Sequence, residues 1–146
     1  MSNERTKLER RLLGKFNRMG TQALDDDAVL QSIHQIALEL LEPRVLHLND
    51  LCSEPAPWTE DIASSIVDEL HSIASISHEQ GLSGLQVLAE ELINHVLTLT
   101  AQTDPDTSLT LFGAQDLLRM LHELAVGINK PPNPEVLLSL QGANRL

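Results

Sequence analysis

Apolar residues recur at intervals of three and four along most of the chain, the spacing that makes one side of an α-helix apolar. The first such stretch after the acidic run at 25–27 covers residues 26–42, and carboxylates at its start suit a helix N-terminus. Pro43 predicts a kink or an end to this helix, and residues 44–51 continue as a further short helical piece. The apolar stripe consists of Leu30, Ile33, Ala37, Leu40 and Leu41.

Trp58 and Thr59 predict the start of a second helix. A threonine side chain can accept a hydrogen bond from the first turn, and an apolar side chain just before it can pack over that turn as a hydrophobic staple. We therefore assign Trp58 a structural role. The helix runs to about residue 79, with Gly81 as its C-cap. Its apolar positions are Ile62, Ile66, Leu70, Ile73 and Ile76.

A third helix is predicted over residues 84–101. The four residues at 83–86, Ser-Gly-Leu-Gln, have the pattern of a capping box. Apolar side chains surround most of this helix, so neighbouring elements must cover it on several sides. We expect it at the centre of the bundle. Its narrow polar strip consists of Gln86, Glu90, Glu91, Asn94 and Thr98.

A fourth helix is predicted after the loop at 101–108, with its end near Gly127. Its charged residues Asp116, Arg119 and Glu123 are expected to lie in solvent, as near-neighbour ion pairs along one stripe. Its apolar positions alternate by three and four, which predicts a buried seam on another side. That seam consists of Leu111, Ala114, Leu118, Leu121, Ala125 and Ile128.

The last part of the chain is predicted to be a proline-rich spacer and a short helix. Pro131 and Pro132 stiffen the spacer, and Asn133 followed by Pro134 has the pattern of an N-cap with a first-turn proline. The terminal helix carries Val136, Leu137, Leu138 and Leu140. No stretch alternates with period two for long enough to predict a strand.

These elements predict an all-α protein, a compact bundle of about five to six helices with a basic amphipathic N-terminal helix. The 146 residues can support one core, and 28 leucines make that core aliphatic. We divide the chain into a basic amphipathic leading helix at 1–20, a helical bundle at 21–130, and a Pro-rich spacer with a short C-terminal helix at 131–146.

Charge is distributed unevenly along the chain. Residues 1–18 contain six Lys and Arg and two Asp and Glu, which gives a net charge of +4. Residues 19–146 contain four Lys and Arg and nineteen Asp and Glu, which gives a net charge of −15. An acidic body repels phosphate backbones, and a chain with two Phe, one Trp and no Tyr offers few rings for base stacking. Nucleic acid is therefore a disfavoured partner. No run approaches the ~18 apolar residues of a membrane span, so no membrane association is expected.

The residues that could carry chemistry do not form a known catalytic pattern. No two of the six histidines are three or four positions apart, the spacing at which one helix presents two imidazoles to a metal ion. Phosphate-loop, dinucleotide-binding and nucleophile-elbow patterns are missing too. Cys52, the single cysteine, is predicted to be a buried, inert thiol, which fits a reducing compartment and predicts a cytoplasmic protein. We predict no enzyme activity and no cofactor or metal.

Residues 7–20 have the pattern of a basic amphipathic helix. Leu8, Leu12, Phe16 and Met19 share one side, and five basic residues occupy most of the opposite arc. Such a helix can dock on its own bundle, enter a groove of an acidic partner or of a second copy, or approach nucleic acid. Gly14 and Glu9 weaken the remaining alternative, a membrane-surface helix, and no lipidation motif supports it.

The sequence as a whole predicts a noncatalytic protein-protein interaction module, such as a regulatory subunit, adaptor, assembly factor or inhibitor. The alternative is a small nucleic-acid-associated subunit that uses the basic helix, and the third candidate is a helical metal-dependent enzyme. The expected partner is an unidentified protein. A homodimer is also expected, because the aliphatic helices offer more apolar surface than one small core needs. The predicted partner-binding residues are Lys7, Arg10, Arg11, Lys15, Phe16, Arg18, Leu137, Leu138 and Leu140.

Overall fold

The computed structural model describes residues 26–103 and 105–144, with side chains from His34 onward. These ranges contain five α-helices and no β-strand, which confirms the predicted all-α bundle. The predicted leading helix at 1–20 lies outside them. The helices are α1 (Asp26–Cys52), α2 (Glu60–Glu79), α3 (Ser83–Leu99), α4 (Ser108–Ala125) and α5 (Pro134–Asn144). Among these five, none is both long enough and apolar enough to cross a membrane.

The described residues from Ile33 onward form one compact unit with α3 at its centre. As predicted, α3 is covered on several sides, since α2, α4 and α5 all pack against it. Its side chains Leu88, Leu92 and Val96 are fully buried. Burial of apolar surface is the main force that favours folding, so the aliphatic core around α3 holds the other helices together.

Helix α1 continues through Pro43 to Cys52. Of the two outcomes predicted at this proline, a kink or an end of the helix, the end is therefore wrong. A proline inside a helix removes a backbone hydrogen bond and costs about 3 kcal/mol. Pro43 is exposed, where water can bind the carbonyl left unpaired. On the opposite side Leu41, Val45 and Leu48 are fully buried in the core. Their burial outweighs the loss and keeps the helix continuous.

The predicted ends of α2 are confirmed. Thr59 Oγ1 accepts a hydrogen bond from the backbone N–H of Ile62 at 3.2 Å, as an N-cap does. At the other end Gly81 has a φ of +73°, a conformation that favours glycine. The N–H of Leu82 donates to the carbonyl of Ser77 at 2.8 Å. This is the hydrogen bond of a Schellman motif that spans six residues.

The predicted capping box at the start of α3 is wrong. The helix begins at Ser83, so this serine lies inside the first turn, and Leu82 stands at the N-cap without a side-chain hydrogen bond. Leu82 already belongs to the Schellman motif that ends α2, and its side chain is buried. Because the connection between the two helices is so short, no residue is left to serve as a separate polar cap.

The buried side of α4 is displaced from the predicted seam. Asp116 is buried, whereas Ala125 and Ile128 at the end of the seam are exposed. Gly113 determines how closely α4 approaches α3, because a Cβ at this position would clash with the side chain of Leu92. The buried residues of α4 are Thr110, Gly113, Ala114, Asp116, Leu117, Met120, Leu121 and Leu124.

Candidate functional site

An open groove with a volume of about 580 Å³ lies between the start of α2 and the end of α3. Its apolar lining residues include Trp58, Ala63, Val67 and Leu97. The full lining consists of Pro57, Trp58, Thr59, Glu60, Ala63, Ser64, Val67, Leu97, Leu99, Thr100, Gln102, Thr103 and Pro105. The groove is large enough to accept a small ligand or several side chains of a partner.

The α2 side of the groove is built from Trp58 and the first two turns of the helix. The indole packs against the core, and its Nε1 donates to the carbonyl of Glu54 at 3.1 Å. This bond anchors the polar edge of the ring, as is usual for a tryptophan near a surface. Ala63 and Ser64 are small, so a large ring lies beside short side chains. That difference in size produces the concave surface.

The α3 side of the groove is built where this helix ends. Leu99 is buried, but Leu97 is 55% exposed. The hydroxyl of Thr100 donates to the carbonyl of Leu97 at 2.8 Å, so the last turn has one of its free carbonyl groups paired. A leucine that is more than half exposed beside other apolar lining residues gives the groove an apolar edge that the described residues leave open.

The groove lies in a part of the chain that carries only negative charge. No Lys or Arg occurs between Arg44 and Arg119, and Glu60 is one of the lining residues. Asp106 follows the lining residue Pro105, and its carboxylate accepts hydrogen bonds from the hydroxyl and the backbone N–H of Ser108. These bonds lower the pKa of Asp106 and keep it ionised. The charged Asp, Glu, Lys and Arg side chains of the two segments that form the groove are therefore all acidic.

A second set of polar residues joins α4 to the proline spacer, and we call it the polar clasp: Asp116, Arg119, Glu123, Pro131 and Asn133. The buried carboxylate of Asp116 accepts from Arg119 Nε at 2.7 Å and from the backbone N–H of Asn133 at 2.8 Å. Arg119 also donates to Glu123 at 2.7 Å and to the carbonyl of Pro131 at 3.2 Å. The pKa of Arg119 is raised, first by the bond to Asp116. The stripe predicted to lie in solvent is thus partly buried and attaches the spacer to α4.

His95 lies buried on α3 and is not part of the groove lining. Burial lowers its pKa below 6.5, against the opposing effects of the Asn144 side chain and the Asp106 charge. Neither ring nitrogen has a hydrogen-bond partner of ordinary geometry among the described residues. Asn144, on α5, donates instead to the backbone and the carboxylate of Glu91, at 3.2 and 3.1 Å. His95, Glu91 and Asn144 thus lie where α3 contacts α5, which indicates that they contribute to the packing of these two helices.

The other groups that could carry chemistry are buried or dispersed. Cys52 is buried, as predicted, and burial raises the pKa of its thiol to about 12, so it is protonated at neutral pH. Within residues 26–103 and 105–144, no three His, Cys, Asp or Glu side chains come together as the ligands of a metal ion would. This leaves the groove between α2 and α3, which is open among the described residues, as the candidate functional site.

The predicted partner-binding residues do not share one described surface. Leu140 is fully buried in the core of its own chain, and Leu137 is half-buried against that core. Leu138 is 67% exposed. Because α5 packs on α3 and α4, it uses most of its apolar surface within the chain. The six predicted residues of the leading segment lie outside the described residues: Lys7, Arg10, Arg11, Lys15, Phe16 and Arg18.

Comparisons with known proteins assign no family to the chain. Protein-family models, curated proteins and solved structures gave no match. Any inference about function therefore rests on the residues of this chain and their physical environment.

The sequence alone did not predict the groove. It placed Trp58 at the start of a helix and Leu97 in the central helix, and both positions are correct. It did not indicate that these two residues line the same open surface, because they come from different helices. The sequence did show that residues 45–118 contain no Lys or Arg. This pattern indicates that the charged Asp and Glu residues of this part of the chain have no basic neighbours in sequence.

Proposed function

We propose that the protein is a noncatalytic protein-interaction module that holds a partner protein in the groove between α2 and α3. It would act as a regulatory subunit, adaptor, assembly factor or inhibitor. The observation that carries this proposal is the pairing of exposed Leu97 with half-buried Trp58 in one open groove. Aromatic and aliphatic side chains in a concave surface are typical anchors of protein interfaces.

The burial of the other large side chains supports the same proposal. Most large aliphatic residues of α3 and α4 are covered within the chain, so the groove is not simply one part of a loosely packed protein. Leaving Leu97 half exposed gives up some of the free energy that burial would contribute, about 25 cal/mol for each Å². A partner that covers this apolar surface recovers that contribution.

The proposal is tested by capture of partners from the native source with the full-length chain. The wild type is compared with Leu97→Gln, which changes the groove, and with Leu138→Gln, which changes an exposed leucine of α5 outside it. Mass spectrometry should identify a protein that the wild type and Leu138→Gln retain and Leu97→Gln loses. Equal recovery of every protein by all three chains would contradict the groove as the binding site.

Homodimer formation is a separate prediction. Light scattering at micromolar concentration should report about twice 16.1 kDa. Leu140 is buried within its own chain, whereas Leu138 is the exposed leucine of α5. If α5 forms the contact through its exposed apolar side, Leu138→Gln should lower the measured mass. A mass near 16.1 kDa for the wild type would contradict the prediction.

A further inference from the structure

We propose that the groove binds a cationic amphipathic helix that belongs to a different protein. This inference rests on the proposed function and specifies the chemistry of the partner. The groove combines an apolar surface with an acidic lining residue, Glu60, and its two segments contain no Lys or Arg. A helix with apolar anchors on one side and Lys or Arg beside them satisfies both requirements at once.

The apolar requirement comes from the two helices that form the groove. Val67 on α2 and Leu97 on α3 lie on opposite sides, and Trp58 lies at the start of α2. A groove between two packed helices suits a third helix, which can place apolar side chains at positions i, i+3 or i+4, and i+7 along it. The partner helix would cover the exposed side of Leu97 and the accessible part of the Trp58 ring.

The charge requirement comes from the residues around this apolar surface. Glu60 lines the groove, and Asp61 beside it is exposed. Neither carboxylate has a salt-bridge partner among the described residues. Cations on a partner helix would be attracted to these carboxylates, whereas an acidic helix would be repelled.

The described surface of a second copy does not offer such a helix. Residues 26–103 and 105–144 contain three Lys and Arg, namely Arg44, Arg119 and Lys130. Arg44 pairs with Glu69 at 3.4 Å, and Arg119 belongs to the polar clasp. Contact between two grooves would bring like charges together, which is unfavourable. The proposal accordingly takes the cationic helix from a different protein, and occupation of the groove by a second copy is one outcome of the test.

Trp58 is the single tryptophan of the chain, so its fluorescence in the full-length protein reports on the groove. The probe is a tryptophan-free peptide of about 14 leucine and lysine residues, with the leucines at helical spacing. Two control peptides replace every lysine with glutamate, or reorder the same residues so that the leucines no longer share one helical side. The leucine–lysine peptide should shift Trp58 emission saturably, and binding should weaken as salt screens the charges.

Variants then test the two requirements separately. Leu97→Gln should lower the affinity for the leucine–lysine peptide by about 10-fold, because one apolar contact residue is lost. The double variant Glu60→Gln, Asp61→Asn should lower both the affinity and its dependence on salt. Leu138→Gln, which lies outside the groove, should bind like the wild type. Circular dichroism establishes that each variant is folded.

Three results would overturn the proposal. The first is equal binding of the glutamate peptide, and the second is no binding of the lysine peptide by fluorescence or calorimetry. The third is a change in Trp58 emission when the protein alone is diluted from a dimer, which would assign the groove to a second copy. If the lysine peptide fails but capture of a native protein still depends on Leu97, the proposed function stands without its cationic chemistry. If that capture also fails, both are wrong.

Discussion

The polar clasp and the groove differ in whether the apolar helix surface beside them is covered by another part of the described chain. At the clasp, Asp116 and Arg119 hold the proline spacer, and α5 then covers the core with Leu140. At the groove, apolar residues of comparable character, Trp58 and Leu97, have no such cover among the described residues. The comparison indicates that charge stabilises structure at one site and surrounds an open surface at the other.

The physical basis of this difference is the pairing of charges. The carboxylate of Asp116 is buried, and both of its oxygens accept hydrogen bonds, which makes burial of the charge tolerable. Glu60, which lines the groove, and the next residue, Asp61, are both exposed to water. A carboxylate that already forms hydrogen bonds within the fold, such as that of Asp116, is not accessible to a partner. The exposed carboxylates of Glu60 and Asp61 can form ion pairs with a partner's cations.

The largest expected effect tests whether α5 truly belongs to the core. Leu140→Ala should lower the free energy of unfolding by about 3 kcal/mol, because it removes a fully buried side chain and leaves a cavity. Leu138→Ala, two positions earlier and mostly exposed, should cost less than about 1 kcal/mol. Urea unfolding followed by circular dichroism measures both. Similar values for the two variants would mean that α5 does not pack as described.

A somewhat smaller effect tests the polar clasp. Asp116→Asn should lower the free energy of unfolding by about 2 kcal/mol, since an amide cannot accept from both Arg119 and the N–H of Asn133 as the carboxylate does. The matched control is Asp68→Asn, an exposed carboxylate of α2, with an expected change within about 0.5 kcal/mol. The same urea experiment measures both. If Asp116→Asn is as harmless as its control, the clasp does not stabilise the fold.

His95 should make the contact between α3 and α5 sensitive to acid. Its folded pKa is lowered from 6.5 by burial, so the unfolded chain binds a proton at a higher pH than the folded chain does. Stability is therefore full above about pH 6.5 and falls as the pH drops toward the folded pKa, by at most about 1.4 kcal/mol per pH unit.

Urea midpoints measured between pH 7.5 and 5 test this dependence. His95→Gln should flatten the decline below pH 6.5, whereas His71→Gln should keep it, because the ring of His71 is exposed in the folded chain. The groups that act on His95 are Asn144 and Asp106, and Asn144 in turn donates to Glu91. An unchanged slope in His95→Gln would show that another group causes the acid sensitivity.

The smallest expected change in stability is at the groove. Leu97→Gln should alter the free energy of unfolding by less than about 0.5 kcal/mol, because this side chain is more than half exposed. Thermal and urea unfolding of the free protein measure it. A loss of 2 kcal/mol or more would mean that Leu97 supports the fold, and the contrast between groove and clasp would then disappear.

The sequence by itself determined the all-α class and several helix boundaries. The cap at Thr59, the glycine end at Gly81 and the Asn133–Pro134 start were all predicted correctly. Gly127, with a φ of +81°, also ends α4 near the predicted place. Each of these features depends on residues within about one helical turn, so local conformational preferences are sufficient to decide them.

Only the tertiary structure decided which sides of these helices are covered. Successive residues of a helix differ by about 100° in direction, so a broad apolar arc fits several orientations. The predicted seam of α4 included Ile128, which is exposed, and left out Leu117, which is buried. The continuation of α1 through Pro43 has the same origin, because core contacts made by other parts of the chain outweigh a local preference.

The candidate site shows the same division. The sequence determined that the chain between Arg44 and Arg119 would be acidic and rich in leucine. Whether Asp116 would be paired and buried, and whether Leu97 would stay open beside Trp58, depended on the approach of segments that are distant in the sequence. Composition is a property of the chain alone, whereas burial is a property of its neighbours, and the neighbours are set by tertiary packing.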